Sequence, residues 1–96
     1  MSDWQAKDFT RRHYVVESPA LDQARRIEVR VIVDGKIMVQ AMAREPGIMA
    51  FVSKPTEQGY EIEIVEATGV KYTDIRTPAG GFTEPLADWQ KQILGL

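Results

Sequence analysis

One segment near the middle of the chain constrains the fold more than any other. From Ile27 to Val33 apolar and polar residues alternate, except at Ile32, and Asp34-Gly35 follows at once. Alternation with a period of two is typical of a half-buried strand, and Asp-Gly supplies the two positive-φ positions of a type I′ turn. The sequence therefore predicts a β-hairpin with a return strand over Lys36–Ala43. A two-residue turn predicts these facing pairs: Val33 with Lys36, Ile32 with Ile37, Val31 with Met38, Arg30 with Val39 and Ile27 with Met42.

Shorter patterns on both sides of this hairpin predict the remaining elements. Ser2 to Gln5 matches a capping box, and Ser18-Pro19 favours a second short helical turn through Ala24. Apolar alternation and turn residues predict further strands at 9–17, 48–53, 60–64 and 70–76, with a polar hairpin loop over 54–59. Thr83 is a good N-cap for a C-terminal helix, whose apolar stripe is Leu86, Trp89, Ile93 and Leu96. This stripe predicts that Trp89 is a core residue. The predicted architecture is a single α+β domain over residues 1–96: an antiparallel β-meander of five or six strands with one C-terminal helix packed on the sheet.

Composition narrows the class of protein. The chain of 96 residues is 44% hydrophobic and 27% charged, which is typical of one globular domain. The absence of cysteine excludes a disulfide scaffold and any thiolate metal site. The longest apolar run, Ile48–Val52, is far shorter than the ~20 residues that span a bilayer. With no secretory signal visible at the N-terminus, the sequence predicts a soluble cytoplasmic protein without membrane contact.

Charge and aromatic residues supply the candidate binding residues. The net charge is −2, from 12 basic and 14 acidic side chains, which lacks the positive excess of a dedicated duplex DNA-binding domain. The basic side chains nevertheless cluster near tyrosines on predicted strands, a combination that can stack and neutralise single-stranded nucleic acid. Solvated arginines beside core tyrosines explain the same pattern and are favoured on composition. The candidate binding residues are Arg11, Arg12, His13, Tyr14, Arg25, Arg26 and Arg30.

Catalytic chemistry has little support in the sequence. His13 is the only histidine, and none of the three serines lies in a G-x-S-x-G setting. Glu61 and Glu63 share one strand face and could hold a hard cation, but the same pair is typical of a solvated face. No catalytic residue, metal or cofactor is therefore assigned, and an enzyme is not favoured.

Three hypotheses about function remain, in this order. The first is a small non-enzymatic interaction module, an accessory or inhibitory protein that acts through a protein–protein surface. The second is a single-stranded nucleic-acid binder that uses the arginines and tyrosines. The third is a small-ligand binder or enzyme that uses His13 as acid or base. The sequence also predicts a homodimer, because a short terminal helix leaves apolar side chains exposed on both faces of the hairpin strands.

Overall fold

The computed structural model describes residues 4–8, 13–18, 26–45, 47–68 and 72–96. These residues contain seven strands and one helix: β1 (Gln5–Asp8), β2 (His13–Glu17), β3 (Ile27–Val33), β4 (Lys36–Ala43), β5 (Ile48–Thr56), β6 (Gly59–Thr68), β7 (Thr73–Arg76) and α1 (Asp88–Leu94). Five strands form one sheet in the order β1-β2-β3-β4-β7, whereas β5 and β6 form a two-stranded sheet. All neighbouring strands are antiparallel. The predicted antiparallel α+β architecture with a C-terminal helix is confirmed.

The central hairpin confirms the predicted turn and corrects the predicted register. Asp34 and Gly35 have φ angles of 50° and 77°, as a type I′ turn requires. The predicted pairs hold from the turn to Ile32 and Ile37, where a bulge shifts the register. Beyond it the predicted pairing is wrong by one residue, since the observed pairs are Val31 with Val39, Arg30 with Gln40 and Ile27 with Ala43. The bulge lets β4 bury both Met38 and Val39 in the same core, which regular alternation forbids.

The β5–β6 hairpin leaves the main sheet and covers one of its faces. Its inward side chains, among them Met49 and Ile62, join the β3 and β4 side chains in the larger hydrophobic cluster. Two tyrosine hydroxyls fix this arrangement, because Tyr60 donates to the Val33 carbonyl oxygen at 3.0 Å and Tyr72 accepts from the Gly47 N–H at 3.2 Å. In the main sheet β7, and not β5, lies beside β4.

The C-terminal segment covers the opposite face. There Val16, Ile32 and Ile37 pack with Leu86 and Leu94 in a second cluster. The expectation that both faces of the hairpin strands remain exposed is therefore wrong, because the β5–β6 hairpin shields one face and the C-terminal segment the other. The exposed sheet faces therefore no longer support the predicted homodimer, which stays a prediction.

The helix begins later than predicted and faces the sheet with different residues. It starts at Asp88 after Ala87, so Thr83 is not its N-cap. The side-chain oxygen of Gln90 accepts the Ala87 N–H at 2.7 Å, and Gln90 is buried. This bond turns Gln90 and Leu94 to the sheet, while Trp89 rotates outward to 37% exposure and packs on Trp4, with ring centroids 5.7 Å apart. The predicted burial of Trp89 in the core is wrong.

Several predicted boundaries also change. Residues from Gln5 to Asp8 form a strand beside β2, so the helical turn predicted at Ser2 to Gln5 is wrong where the structure describes it. The Lys7 ammonium lies 3.0 Å from the Glu17 carboxylate and joins these two strands. The helical turn predicted after Pro19 and the first part of the strand predicted over 9–17 lie outside the described residues. The loop predicted over 54–59 is a two-residue turn, because β5 and β6 pair as far as Thr56 and Gly59.

Candidate functional site

The first six residues of β5 form an uncharged part of its outer edge. Among the described residues, β5 pairs with β6 and with no other strand. From Ile48 to Ser53 this strand has no charged residue, proline or glycine. A groove of about 430 Å³ follows these six residues and is closed on one side by His13. We call Ile48–Ser53 together with His13 the β5 edge surface.

His13 is held at this surface by contacts with β5. It begins β2, pairs with Val33, and lies on the sheet face that the hairpin covers. Its Nε2 atom lies 2.7 Å from Ser53 Oγ, within hydrogen-bond distance, and its ring centroid is 5.4 Å from that of Phe51. The imidazole therefore forms one wall of the groove.

Main-chain groups of β5 point away from β6 at two positions beside this wall. A two-residue hairpin closes on a hydrogen-bonded pair, here Thr56 with Gly59, and hydrogen-bonded and non-hydrogen-bonded pairs then alternate along the strands. By this alternation the main-chain N–H and C=O groups of Phe51 and Ser53 point away from β6. Pro55 occupies an equivalent position, where its missing N–H costs no bond to β6.

The other strand edges that the structure describes are protected, in contrast to β5. β1 and β7 have four residues each, and short edge strands resist further pairing. β6 is long, but it carries Glu61, Glu63 and Glu66, and the register shift opposite Ala50 and Phe51 leaves Val65 unpaired. Charges and bulges are the usual devices that keep an edge from pairing. Of these edges, β5 alone combines length with an uncharged sequence.

The outward face of the hairpin combines apolar and charged side chains. Ile48 is 66% exposed and Val52 is 43% exposed. Next to Val52, the Lys54 ammonium forms an ion pair with the Glu63 carboxylate. The hydrogen bond to Glu63 raises the pKa of Lys54 above its usual value, and the charges of Glu63 and Glu61 act in the same direction.

The structure separates the predicted binding residues. Arg11, Arg12 and Arg25 lie outside the described residues. His13 belongs to the β5 edge surface, but Tyr14 packs against the second cluster on the opposite face of the sheet. On that face too, the Arg30 guanidinium lies 3.0 Å from the Glu28 carboxylate and 4.9 Å from the centroid of the Trp4 ring.

Arg26 lies in a different groove, between β4 and β7. This groove of about 400 Å³ is lined by side chains of both charges, including Arg26, Glu28, Asp74 and Arg76. Asp74 has a φ of 53° beside the irregular pairing of β4 with β7. The mixed charge of this lining favours no single ligand class. His13 is therefore apart from the other described candidates, whereas Glu28, the ion-pair partner of Arg30, also lines the groove of Arg26.

Sequence reasoning missed Phe51, Val52 and Ser53 as site residues. The signal was present, since Ile48–Val52 is the longest apolar run of the chain. That run predicts a buried strand when both of its edges are paired, and sequence alone does not show that β5 leaves the main sheet. The contact of Ser53 with His13, 40 residues away in the chain, has no local signature.

Neither a metal-holding group of side chains nor a membrane-spanning helix is found among the described residues. Within the described ranges, no group of three His, Asp or Glu side chains could hold a metal ion. None of the described helical segments is long and apolar enough to cross a membrane. Comparison with protein-family profiles, with curated proteins and with solved structures found no match to this chain.

Proposed function

We propose that the protein is a small non-enzymatic interaction module that takes up a further protein strand along the β5 edge surface. One observation carries this proposal: six uncharged residues of β5 border a groove of about 430 Å³, and no described strand covers them. Strand addition suits such an edge, because main-chain hydrogen bonds provide affinity and side-chain pockets provide specificity.

Exposure and backbone direction support the same function. A row of free N–H and C=O groups beside apolar side chains is a template for pairing, and proteins usually protect it. Here the main-chain N–H and C=O groups of Ser53 point away from β6, and Ile48 and Val52 are exposed on the same strand. We further propose that the protein acts in the cytoplasm as an accessory or inhibitory component, which agrees with its cysteine-free sequence.

Recovery of tagged protein from a native extract that also contains untagged copies tests the function. The bait is the parent chain, Val52→Lys or, as the matched control, Val65→Lys. Both substitutions place a lysine on an exposed site of the hairpin, but only Val52 borders the open edge. We expect the parent and Val65→Lys to retain a protein, identified by mass spectrometry, and Val52→Lys to lose it. Circular dichroism and thermal melting of all three baits check that each is folded.

Nuclease treatment of the extract separates the first hypothesis from the second. A protein that stays bound after treatment supports the interaction module. Recovery that disappears with nuclease supports nucleic-acid binding. Equal recovery by the three baits contradicts the role proposed for the β5 edge surface.

A second candidate function uses the pair of His13 and Ser53. A serine hydroxyl 2.7 Å from an imidazole nitrogen, at the wall of a groove, is the first requirement of a nucleophile and its base. An activated ester tests this candidate. Hydrolysis by the parent that is lost in both His13→Ala and Ser53→Ala supports it. Rates that match the buffer alone, or that survive Ser53→Ala, contradict it.

A further inference from the structure

We propose that a groove at the end of β7 binds a small carboxylate with a flat apolar body, and that the Arg76 guanidinium holds the carboxylate group. This site goes beyond the function proposed above, because it shares no lining residue with the β5 edge surface. The size, the charge and the rigidity of the groove carry the inference.

The size and lining of this groove suit a small organic molecule. Its volume is about 600 Å³, within the range that is usual for small-molecule sites. The lining residues come from the end of β7 and from the segment that joins β7 to α1: Arg76, Thr77, Pro78, Gly81, Phe82 and Thr83. Pro78 and Phe82 offer apolar surface to the body of a ligand, and the threonine hydroxyl groups can donate hydrogen bonds to its polar end.

Charge selects the class of ligand. Of the described residues that line this groove, Arg76 alone is charged, whereas the groove of Arg26 contains side chains of both charges. Arg76 lines both grooves, yet it forms no ion pair with Glu28, which pairs with Arg30, or with the exposed Asp74. A guanidinium presents its N–H donors in a fixed fork that fits the two oxygens of a carboxylate. A single positive charge in the lining matches a monoanion better than a dianion.

Hydrogen bonds to the main sheet hold the walls of the groove in place. The Gly81 N–H donates to the Pro78 carbonyl oxygen at 2.9 Å, which closes the turn between the two walls. The Phe82 N–H donates to the Ile37 carbonyl oxygen of β4, and the Phe82 side chain packs against the second hydrophobic cluster. Arg76 pairs with Gln40 on the same strand β4. A ligand therefore enters walls that are already ordered, which lowers the entropic cost of binding.

Phenylacetate tests the proposal, because it joins one carboxylate to a flat apolar ring. Phenylacetamide is the matched neutral probe, with the same ring and no charge. Both are titrated to millimolar concentration into the full ¹⁵N-labelled chain. We expect phenylacetate to saturate its site, to shift the amide signals of Gly81 and Phe82 most, and to bind about tenfold more tightly than phenylacetamide.

Arg76→Gln removes the charge that the proposal depends on, and Arg44→Gln is the matched control. Arg44 is exposed and is not among the residues that line the groove, so the two variants lose the same net charge. We expect Arg76→Gln to weaken phenylacetate binding about tenfold and to leave phenylacetamide binding unchanged. Arg44→Gln is expected to bind both probes as the parent does. Thermal melting checks that both variants are folded.

Four results would overturn the inference. The first is phenylacetate binding that does not saturate at millimolar concentration, and the second is equal affinity of the parent for phenylacetate and phenylacetamide. The third is equal phenylacetate affinity of Arg76→Gln and the parent. The fourth concerns benzylphosphonate, which has the same ring and can carry a second negative charge. Tighter binding of benzylphosphonate than of phenylacetate would replace the carboxylate with a phosphate-like dianion.

Discussion

Gly81 and Gly35 both have positive φ, but their surroundings differ. Gly81 has a φ of 80°, and a β-carbon there would meet Met38 Sδ at 2.5 Å and the Ile37 carbonyl oxygen at 2.9 Å. Gly35 has a φ of 77° with nothing within 4 Å of its β-carbon position. The difference arises because the segment containing Gly81 crosses β4 closely, where the Phe82 N–H donates to the Ile37 carbonyl at 2.8 Å.

The two glycines separate backbone strain from steric contact. In Gly35→Ala the alanine has only to adopt the left-handed conformation. We expect this change to lower the free energy of unfolding by about 1 kcal/mol. In Gly81→Ala the new β-carbon also clashes with β4. We therefore expect the free energy of unfolding to fall by about 3 kcal/mol. Urea denaturation of both variants measures these losses of unfolding free energy. Equal losses would contradict the close approach of the C-terminal segment to β4.

The ion pair of Lys54 with Glu63 gives a prediction in pH. Because Glu63 holds the ammonium form, the pKa of Lys54 lies above 10.5 in the folded protein. Because the pKa is raised in the folded state, the ion pair contributes its full stabilisation below pH 10.5. This contribution is lost as the pH rises through the folded-state pKa of Lys54. A ¹⁵N titration of the Lys54 ammonium is expected to show the raised pKa, and Glu63→Gln is expected to lower it. An unchanged titration in Glu63→Gln would show that the pair does not form in solution.

At the scale of elements, helix α1 depends on one buried amide. Gln90 is 3% exposed and its side chain accepts the Ala87 N–H, whereas Gln92 is exposed. Gln90→Ala removes this bond, with an expected loss of about 1 kcal/mol of unfolding free energy. Gln92→Ala, the control, is expected to stay within about 0.5 kcal/mol of the parent. Thermal melting compares the two, and equal melting temperatures would mean that Gln90 does not orient the helix.

The elements differ in how far sequence predicts them, for physical reasons. The turn at Asp34-Gly35 is local chemistry, so it was predicted correctly. The bulge at Met38 and the inward position of Gln90 depend on contacts with other elements, and therefore the predicted register and the predicted burial of Trp89 were wrong. The site shows the same division. His13 was singled out as the sole histidine, but its contacts with Ser53 and Phe51 arise only when the hairpin folds over the sheet.

At the scale of the whole molecule, both faces of the main sheet are covered and the exposed apolar surface moves to an edge. The hairpin and the C-terminal segment each close one face, over separate hydrophobic clusters. Two of the exposed large apolar side chains, Ile48 and Val52, belong to the β5 edge surface. We therefore expect the homodimer that the sequence predicts to associate through the β5 edge surface and not through the faces of the main sheet.

Sedimentation equilibrium of the parent chain, Val52→Lys and Val65→Lys tests this account most directly. Val52→Lys places a charge within the β5 edge surface, and a charged side chain on an edge strand opposes further strand pairing. Over a range of micromolar concentrations we expect the parent and Val65→Lys to approach about twice the chain mass of 10.9 kDa, and Val52→Lys to remain near that mass. A parent chain of about 10.9 kDa at every concentration, or a Val52→Lys chain that associates as the parent does, would contradict the account.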